Sequence, residues 1–240
     1  KGTIVRLEIL PAETGVDGPA EIISLVREKI ELEDQKAQAR ILSHVQDGKT
    51  YRLGLIELPS FYMDFDAYQQ GDPDYTSTTR DVKNLITDLE AKGIDGLIMD
   101  LRDNGGGSLS EAIDLTGLFI KEGPVVQVRY PNEKIDLGED EDPEVIYNGP
   151  MAVMINRFSA SASEIFAGAI QDYNRGVVIG EQTFGKGTVQ SVIDLGRYLK
   201  VPEGEKVGQL KLTLQKFYRV TGSSTQHLGV TPDVSLPSAF

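Results

Sequence analysis

Apolar and polar side chains alternate from Thr3 to Leu10, which marks a strand with one solvated face. Ile22–Val26 reads as its return partner after a loop rich in glycine and proline. Two strands bury too little to stand alone, so residues 1–30 are expected to be the closing strands of a domain that begins upstream. Because the chain opens on that strand, a targeting segment and the first part of that domain are expected to precede it in a longer protein. Residues 31–50 are charged and read as a connecting segment, with a short strand around Ala39–Leu42.

From residue 51 to residue 240 the pattern becomes strands separated by helices. Arg52–Leu58 reads as a strand, and Ser77–Ala91 has helical spacing with Val82, Leu85, Ile86 and Leu89 on one face. Gly96–Leu101 is an apolar run of strand length, followed by three glycines and a helix over Ser110–Ile120. Val125–Arg129, Met151–Ile155 and Val177–Ile179 are further short apolar runs, the last two flanking a helix over Ser163–Tyr173. This alternation predicts an α/β domain of mostly parallel, buried strands with flanking helices. The acidic stretch 131–148 reads as a solvated loop or edge hairpin, since it lacks the ordered ligand spacing of a calcium loop.

Composition narrows the chemistry. The 240 residues include no cysteine, which removes thiolate nucleophiles, cysteine-based zinc sites and disulfides. A formal net charge of -13 repels phosphate backbones and anionic lipid, so nucleic acid is not an expected partner. No apolar run approaches the roughly 20 residues that span a bilayer. The two histidines, His44 and His227, lie in polar segments away from any glycine-rich or nucleophile-like turn, and no Gly-x-Ser-x-Gly elbow is present. A Ser/His/Asp hydrolase and a histidine-based metal site therefore lack their parts.

Three segments remain that could carry a reaction. In Asn156-Arg157-Phe158-Ser159-Ala160-Ser161-Ala162-Ser163-Glu164, small hydroxyl residues alternate with alanine where a strand gives way to a helix. A serine there either caps the helix or uses the positive helix end to stabilise developing negative charge. In Gly180-Glu181-Gln182-Thr183-Phe184-Gly185-Lys186-Gly187-Thr188 the lysine sits between glycines in an apolar stretch. The likeness to a phosphate-binding loop fails at Gly187, where the magnesium-binding Ser or Thr should stand, and again at the strand-like Thr188–Ile193. Such a lysine is either exposed on a turn or buried, and burial lowers a lysine pKa from about 10.4 by roughly 3, which would make it a usable base. Asp100-Leu101-Arg102-Asp103-Asn104-Gly105-Gly106-Gly107 leaves a buried strand through three glycines, which is either a tight turn or a set of N–H donors for an oxyanion.

Together, and in this order, Asp100–Gly107, Phe158–Glu164 and Thr183–Gln190 resemble the tail-specific (carboxyl-terminal processing) protease family. The resemblance runs from Lys1 to about Pro232 and includes Lys216-Phe217-Tyr218-Arg219 and Gly229-Val230-Thr231-Pro232-Asp233. It implies a crotonase/ClpP-like α/β core and a serine endopeptidase that works through an acyl-enzyme, without cofactor or metal. In that reading Ser161 is the nucleophile, Lys186 the general base and Gln190 the residue that orients the lysine, while the N–H groups of Gly107 and Ala162 form the oxyanion hole. Residues 1–30 would be the end of a PDZ domain. The substrates would be polypeptides with exposed nonpolar C-termini, an adaptor protein is a possible partner, and the location would be the bacterial envelope, in the periplasm. Two other readings are a non-catalytic peptide- or ligand-binding module on the same core, and an acyl-CoA-handling enzyme.

Overall fold

The computed structural model describes residues 2–13, 15, 18–27, 36–199 and 207–238. The chain divides into two compact units, Lys1–Asp34 and Gln35–Phe240. In the first, β1 (Ile4–Ile9) and β2 (Glu21–Val26) pair antiparallel with Ile4 opposite Val26 and Ile9 opposite Glu21. Both strands leave apolar side chains in solvent, including Ile4, Leu7, Ile22 and Leu25.

The second unit is built on a six-stranded sheet. Its members are β3 (Gln38–Gln46), β4 (Lys49–Glu57), β5 (Gly96–Asp100), β8 (Met151–Ile155), β9 (Val177–Gly180) and β12 (Val234–Ser235), in the order β12-β9-β8-β5-β4-β3. The four pairs from β12 to β4 are parallel, as the alternation of strands and helices predicts. The β3–β4 pair is an antiparallel hairpin. The short strand expected around Ala39–Leu42 within the connecting segment 31–50 is longer, the edge strand Gln38–Gln46, and residues 31–35 lie outside those described. Its charged look has a simple cause: β3 is exposed along most of its length, so only Ile41 is partly withdrawn from water, against the core.

A second sheet of four strands is antiparallel throughout: β6 (Gly123–Arg129), β7 (Ile135–Asp140), β10 (Thr188–Asp194) and β11 (Gln209–Tyr218), in the order β10-β11-β6-β7. This corrects the expectation of one mostly parallel set. The acidic stretch 131–148 forms the outer member of this sheet through β7.

Helices α2 (Thr78–Ala91), α3 (Leu109–Gly117) and α4 (Ala162–Asp172) cover the sheets, and a short α1 (Phe65–Gln69) lies between β4 and α2. Ser77 caps α2 by accepting from Arg80 N–H, and Ser108 caps α3 by accepting from Glu111 N–H. Val82, Ile86 and Leu89 of α2 are fully buried, on the stripe their spacing predicts. Phe61, Phe119 and Phe166 meet in the core, with Phe119 and Phe166 edge-to-face at 5.8 Å. Removing a ring of this kind costs about 3–5 kcal/mol. The core therefore fixes α4 through Phe166, and with it the turn that starts the helix. Among the described residues no helix is long and apolar enough to cross a membrane.

Candidate active site

Strand β8 stops at Ile155, and the chain turns through Asn156–Ala160 into α4. Asn156 N–H donates to Ser159 Oγ (2.9 Å), and Ser159 Oγ donates to Leu101 O (2.8 Å). Ser163 Oγ donates to Asn104 O (2.9 Å). Two of the three serines in the motif are thus fully buried and bound to main-chain oxygens, and they fasten the turn to the loop after β5. Ser161 lies between them, half-buried, with φ 59° and ψ −111°. That is a conformation few non-glycine residues adopt, and it costs on the order of 1–3 kcal/mol.

The glycine-rich loop is placed by Asn104, whose Nδ2 donates to Leu58 O (2.8 Å) and whose Oδ1 accepts from Gly106 N–H (2.9 Å). Gly106, at φ 101°, lies against the serine turn; a Cβ there would come within 2.7 Å of Ala160 O and 2.8 Å of Ser161 Cβ. Gly107 pairs with Phe61, whose N–H donates to Gly106 O and whose oxygen accepts from Ser108 N–H. Among the described residues, the N–H groups of Gly105, Gly107 and Ala162 donate to no recorded acceptor. Gly107 and Ala162, the pair expected as oxyanion donors, are both among these; Gly107 is exposed and Ala162 buried.

Lys186 lies on the loop between β9 and β10 and is half-buried. The loop is bound to the serine turn by Phe184 N–H, which donates to Ser159 O (3.0 Å), and above all by Glu164. This carboxylate is fully buried. Its Oε1 accepts from Thr183 Oγ1 (2.7 Å) and Gly185 N–H (2.8 Å), and its Oε2 accepts from Ser161 N–H (2.8 Å) and Lys186 N–H (2.9 Å). Four donors replace the water an enclosed carboxylate loses. The sequence reading gave Glu164 no role, although Ser161-x-x-Glu164 is the spacing of a capping box and could have singled it out. Here the carboxylate half of such a box has been extended to a second segment.

The structure brings Ser161, Lys186, Gly107 and Ala162 to one place but joins the serine and lysine through main chain. Among the described residues, no hydrogen bond is recorded from Lys186 Nζ. Gln190 is not directed to Lys186: it is exposed, and its Nε2 lies 3.5 Å from Thr213 Oγ1, beside a bulge between Val189 and Gln190. His44 is exposed on β3. His227, which the sequence sets far from any glycine-rich turn, is next to one in space. Its N–H donates to Gly185 O (2.9 Å), and Gln226 Oε1 accepts from Gly187 N–H (2.8 Å), so residues 226–227 form the outer wall of the lysine loop. Beneath the glycine loop, Arg102 pairs with the nearly buried Asp100 at 2.6 Å, and this hydrogen bond raises the arginine pKa. Among the described residues no group of histidine and carboxylate side chains is arranged to hold a metal ion.

A serine on a strained turn, a lysine loop bound to it and free N–H donors beside both suit acyl transfer. Comparison with known proteins points to a peptidase family. Residues 52–236 match peptidase family S41. The chain is 48% identical over 237 residues to the tail-specific protease of Haemophilus influenzae, covering 99% of this chain and 31% of that protein. It is 31% identical over 236 residues to the carboxy-terminal processing protease CtpA of Bacillus subtilis, covering 98% and 43%. Among solved structures, a photosystem II D1 C-terminal processing protease superposes with a TM-score of 0.68 at 27% identity, over 90% of this chain and 52% of that one. The chain spans about a third to a half of the length of these relatives. With its mixed α/β fold and the match over most of its length, this chain belongs to peptidase family S41.

Proposed function

We propose that this chain is the catalytic region of a serine endopeptidase that cleaves polypeptides near nonpolar C-termini. Ser161 is the nucleophile and Lys186, in its neutral form, takes the hydroxyl proton as the oxygen attacks the peptide carbonyl. The N–H groups of Gly107 and Ala162 hold the tetrahedral oxyanion. Lys186 then returns the proton to the leaving amine, and water releases the acyl-enzyme. Gln190 would orient the lysine once its side chain turns away from Thr213. No cofactor or metal takes part.

The observation that carries this reading is the shared acceptor Glu164 Oε2, which registers the serine turn against the lysine loop to within one hydrogen bond of each. In the same reading the core is of the crotonase/ClpP-like kind and the β1–β2 hairpin is the end of a PDZ domain that captures substrate C-termini by strand addition. The protein would act in the bacterial periplasm, with unfolded polypeptides as substrates and an adaptor protein as a partner.

The test is proteolysis of an unfolded protein ending in apolar residues, by the full-length protein that carries this chain. Ser161→Ala and Lys186→Ala should each keep the far-ultraviolet dichroism and thermal midpoint of the parent while turnover falls by at least about 10²–10⁴-fold. Near-normal cleavage by either variant removes the dyad. Folded, inactive parent protein that still binds the peptide would point instead to a binding module.

A further inference from the structure

Residues 105–108 have two main-chain edges, and only one of them is filled. Phe61 N–H donates to Gly106 O (3.0 Å) and Ser108 N–H donates to Phe61 O (2.8 Å), which makes Phe61 and Gly107 a parallel bridge. A trans peptide holds its C=O and the following N–H on opposite sides, in one plane. Because Gly106 O points to Phe61, Gly107 N–H points away from it. Because Ser108 N–H points to Phe61, Gly107 O points away as well. The donor and the acceptor of one residue are thus turned to the same outer edge, which is how a strand presents itself to a neighbour.

Exposure follows that alternation: Gly105 and Gly107 are exposed, while Gly106 and Ser108 are buried. Among the described residues, neither Gly107 N–H nor Gly107 O has a recorded hydrogen-bond partner. With glycine at 105, 106 and 107, the stretch puts no side chain of its own over the edge. Glycine is required at 107 itself, since φ is 152° and a Cβ would lie 2.1 Å from Phe61 O. The neighbouring Gly106 rests on the serine turn, where a Cβ would be 2.8 Å from Ser161 Cβ and 3.0 Å from Ala162 N. A chain laid along this edge therefore passes beside Ser161.

We propose that Gly107 binds the substrate twice through its main chain: its N–H takes the carbonyl under attack and its oxygen takes a substrate N–H, so that the segment to be cut is added as an extended strand. This rests on the peptidase reading and deepens it, because Gly107 O gains a part that an oxyanion hole does not give it. Pairing geometry names the substrate N–H. In an antiparallel pair one residue exchanges both bonds, so the N–H belongs to the residue whose carbonyl is attacked. In a parallel pair the two bonds go to residues on either side of a skipped one, so the N–H belongs to the second residue after the cut bond. Contacts of this kind read main chain alone. The substrate must be extended there, its side chains are tolerated, and proline, which has no N–H, is refused at the paired residue.

The experiment gives the full-length protein that carries this chain an unfolded peptide that it cuts at one bond, and then a series in which each amide near that bond is replaced in turn by an ester. The ester removes one N–H and keeps the shape of the backbone, and mass spectrometry checks that the cut stays in place. The ester at the residue whose carbonyl is attacked, or the one at the second residue after the cut, should lower kcat/KM about fivefold or more, with the other esters within about twofold of the all-amide peptide. The position of the loss tells antiparallel from parallel pairing, and either supports the proposal. Loss at neither position, or the same loss at every ester, overturns it; if the all-amide peptide is still cut by the parent and not by Ser161→Ala, the peptidase reading stands without it. An all-amide peptide that the parent leaves whole overturns both.

Discussion

Ser161 and Lys186 donate their main-chain N–H groups to the same atom, Glu164 Oε2, at 2.8 and 2.9 Å. The two residues are 25 positions apart in sequence, yet one oxygen accepts from both backbones, beside the Phe184–Ser159 bond that also joins the two segments. A change at residue 164 is therefore expected to shift Ser161 and Lys186, the proposed nucleophile and base, against each other.

Glu164→Gln should show this. One of the two oxygens becomes an amide that donates, so it faces the N–H pair on one side or Thr183 Oγ1 and Gly185 N–H on the other. Loss of a charge-assisted buried bond costs about 1.5–3 kcal/mol, and proteolysis should fall by at least tenfold in kcat. Denaturant unfolding and steady-state kinetics on the same preparation measure both. Unchanged kcat would separate the carboxylate from the reaction.

Gly106→Ala should be worse for activity than for folding. The added carbon meets Ala160 O at 2.7 Å and Ser161 Cβ at 2.8 Å, and φ is 101°. The expected cost is on the order of 1–3 kcal/mol for the dihedral, with the serine turn displaced. A thermal melt together with the rate of acylation by a serine-directed probe distinguishes the two effects.

His227→Gly should leave proteolysis within about twofold of the parent. The wall of the lysine loop is made by His227 main chain, and the side chain's one recorded partner is Gln226 at 3.4 Å. With φ at 64°, glycine relieves strain, and the melting point should hold or rise. Abolished turnover would restore a histidine mechanism.

Arg219→Met should destabilise strongly. Arg219 bonds Asp172 twice, at 2.6 and 3.1 Å, and also Gln171 and Gly168 O, in a pair whose side chains are only 15% and 9% exposed. Removing one partner of such a pair costs about 3–5 kcal/mol because the other is left buried and charged. Urea unfolding measures the loss, and Asp172→Asn with Arg219→Met should recover part of it.

The parallel core was legible because β5, β8 and β9 are short apolar runs bounded by turn residues, and because α2 repeats its buried face every three or four positions. The second sheet was legible only in part: Val125–Arg129, Thr188–Ile193 and the edge hairpin in 131–148 correspond to β6, β10 and β7, but β11 and the antiparallel pairing did not show. Strand β11 is exposed over most of its length, so Gln209–Thr213 lacks the inward face that marks a strand, and its pairing partners are set by long-range register. Ser161 and Lys186 stood out by residue type and neighbouring glycines. Glu164 did not, because a helix-capping carboxylate looks the same in sequence whether it serves one backbone or two. His227 was misplaced for a related reason: sequence distance from Gly185 says nothing once the chain folds back over it.

The four bonds to Glu164 also govern how the molecule can be assembled. Until residues 183–186 come down onto the turn, three of the four donors are missing and an anion sits in the interior with almost nothing to compensate it. A half-built chain with a finished core and an undocked loop is for that reason a poor energy minimum. Docking of residues 183–186 thus completes the packing around Glu164 and the proposed site together.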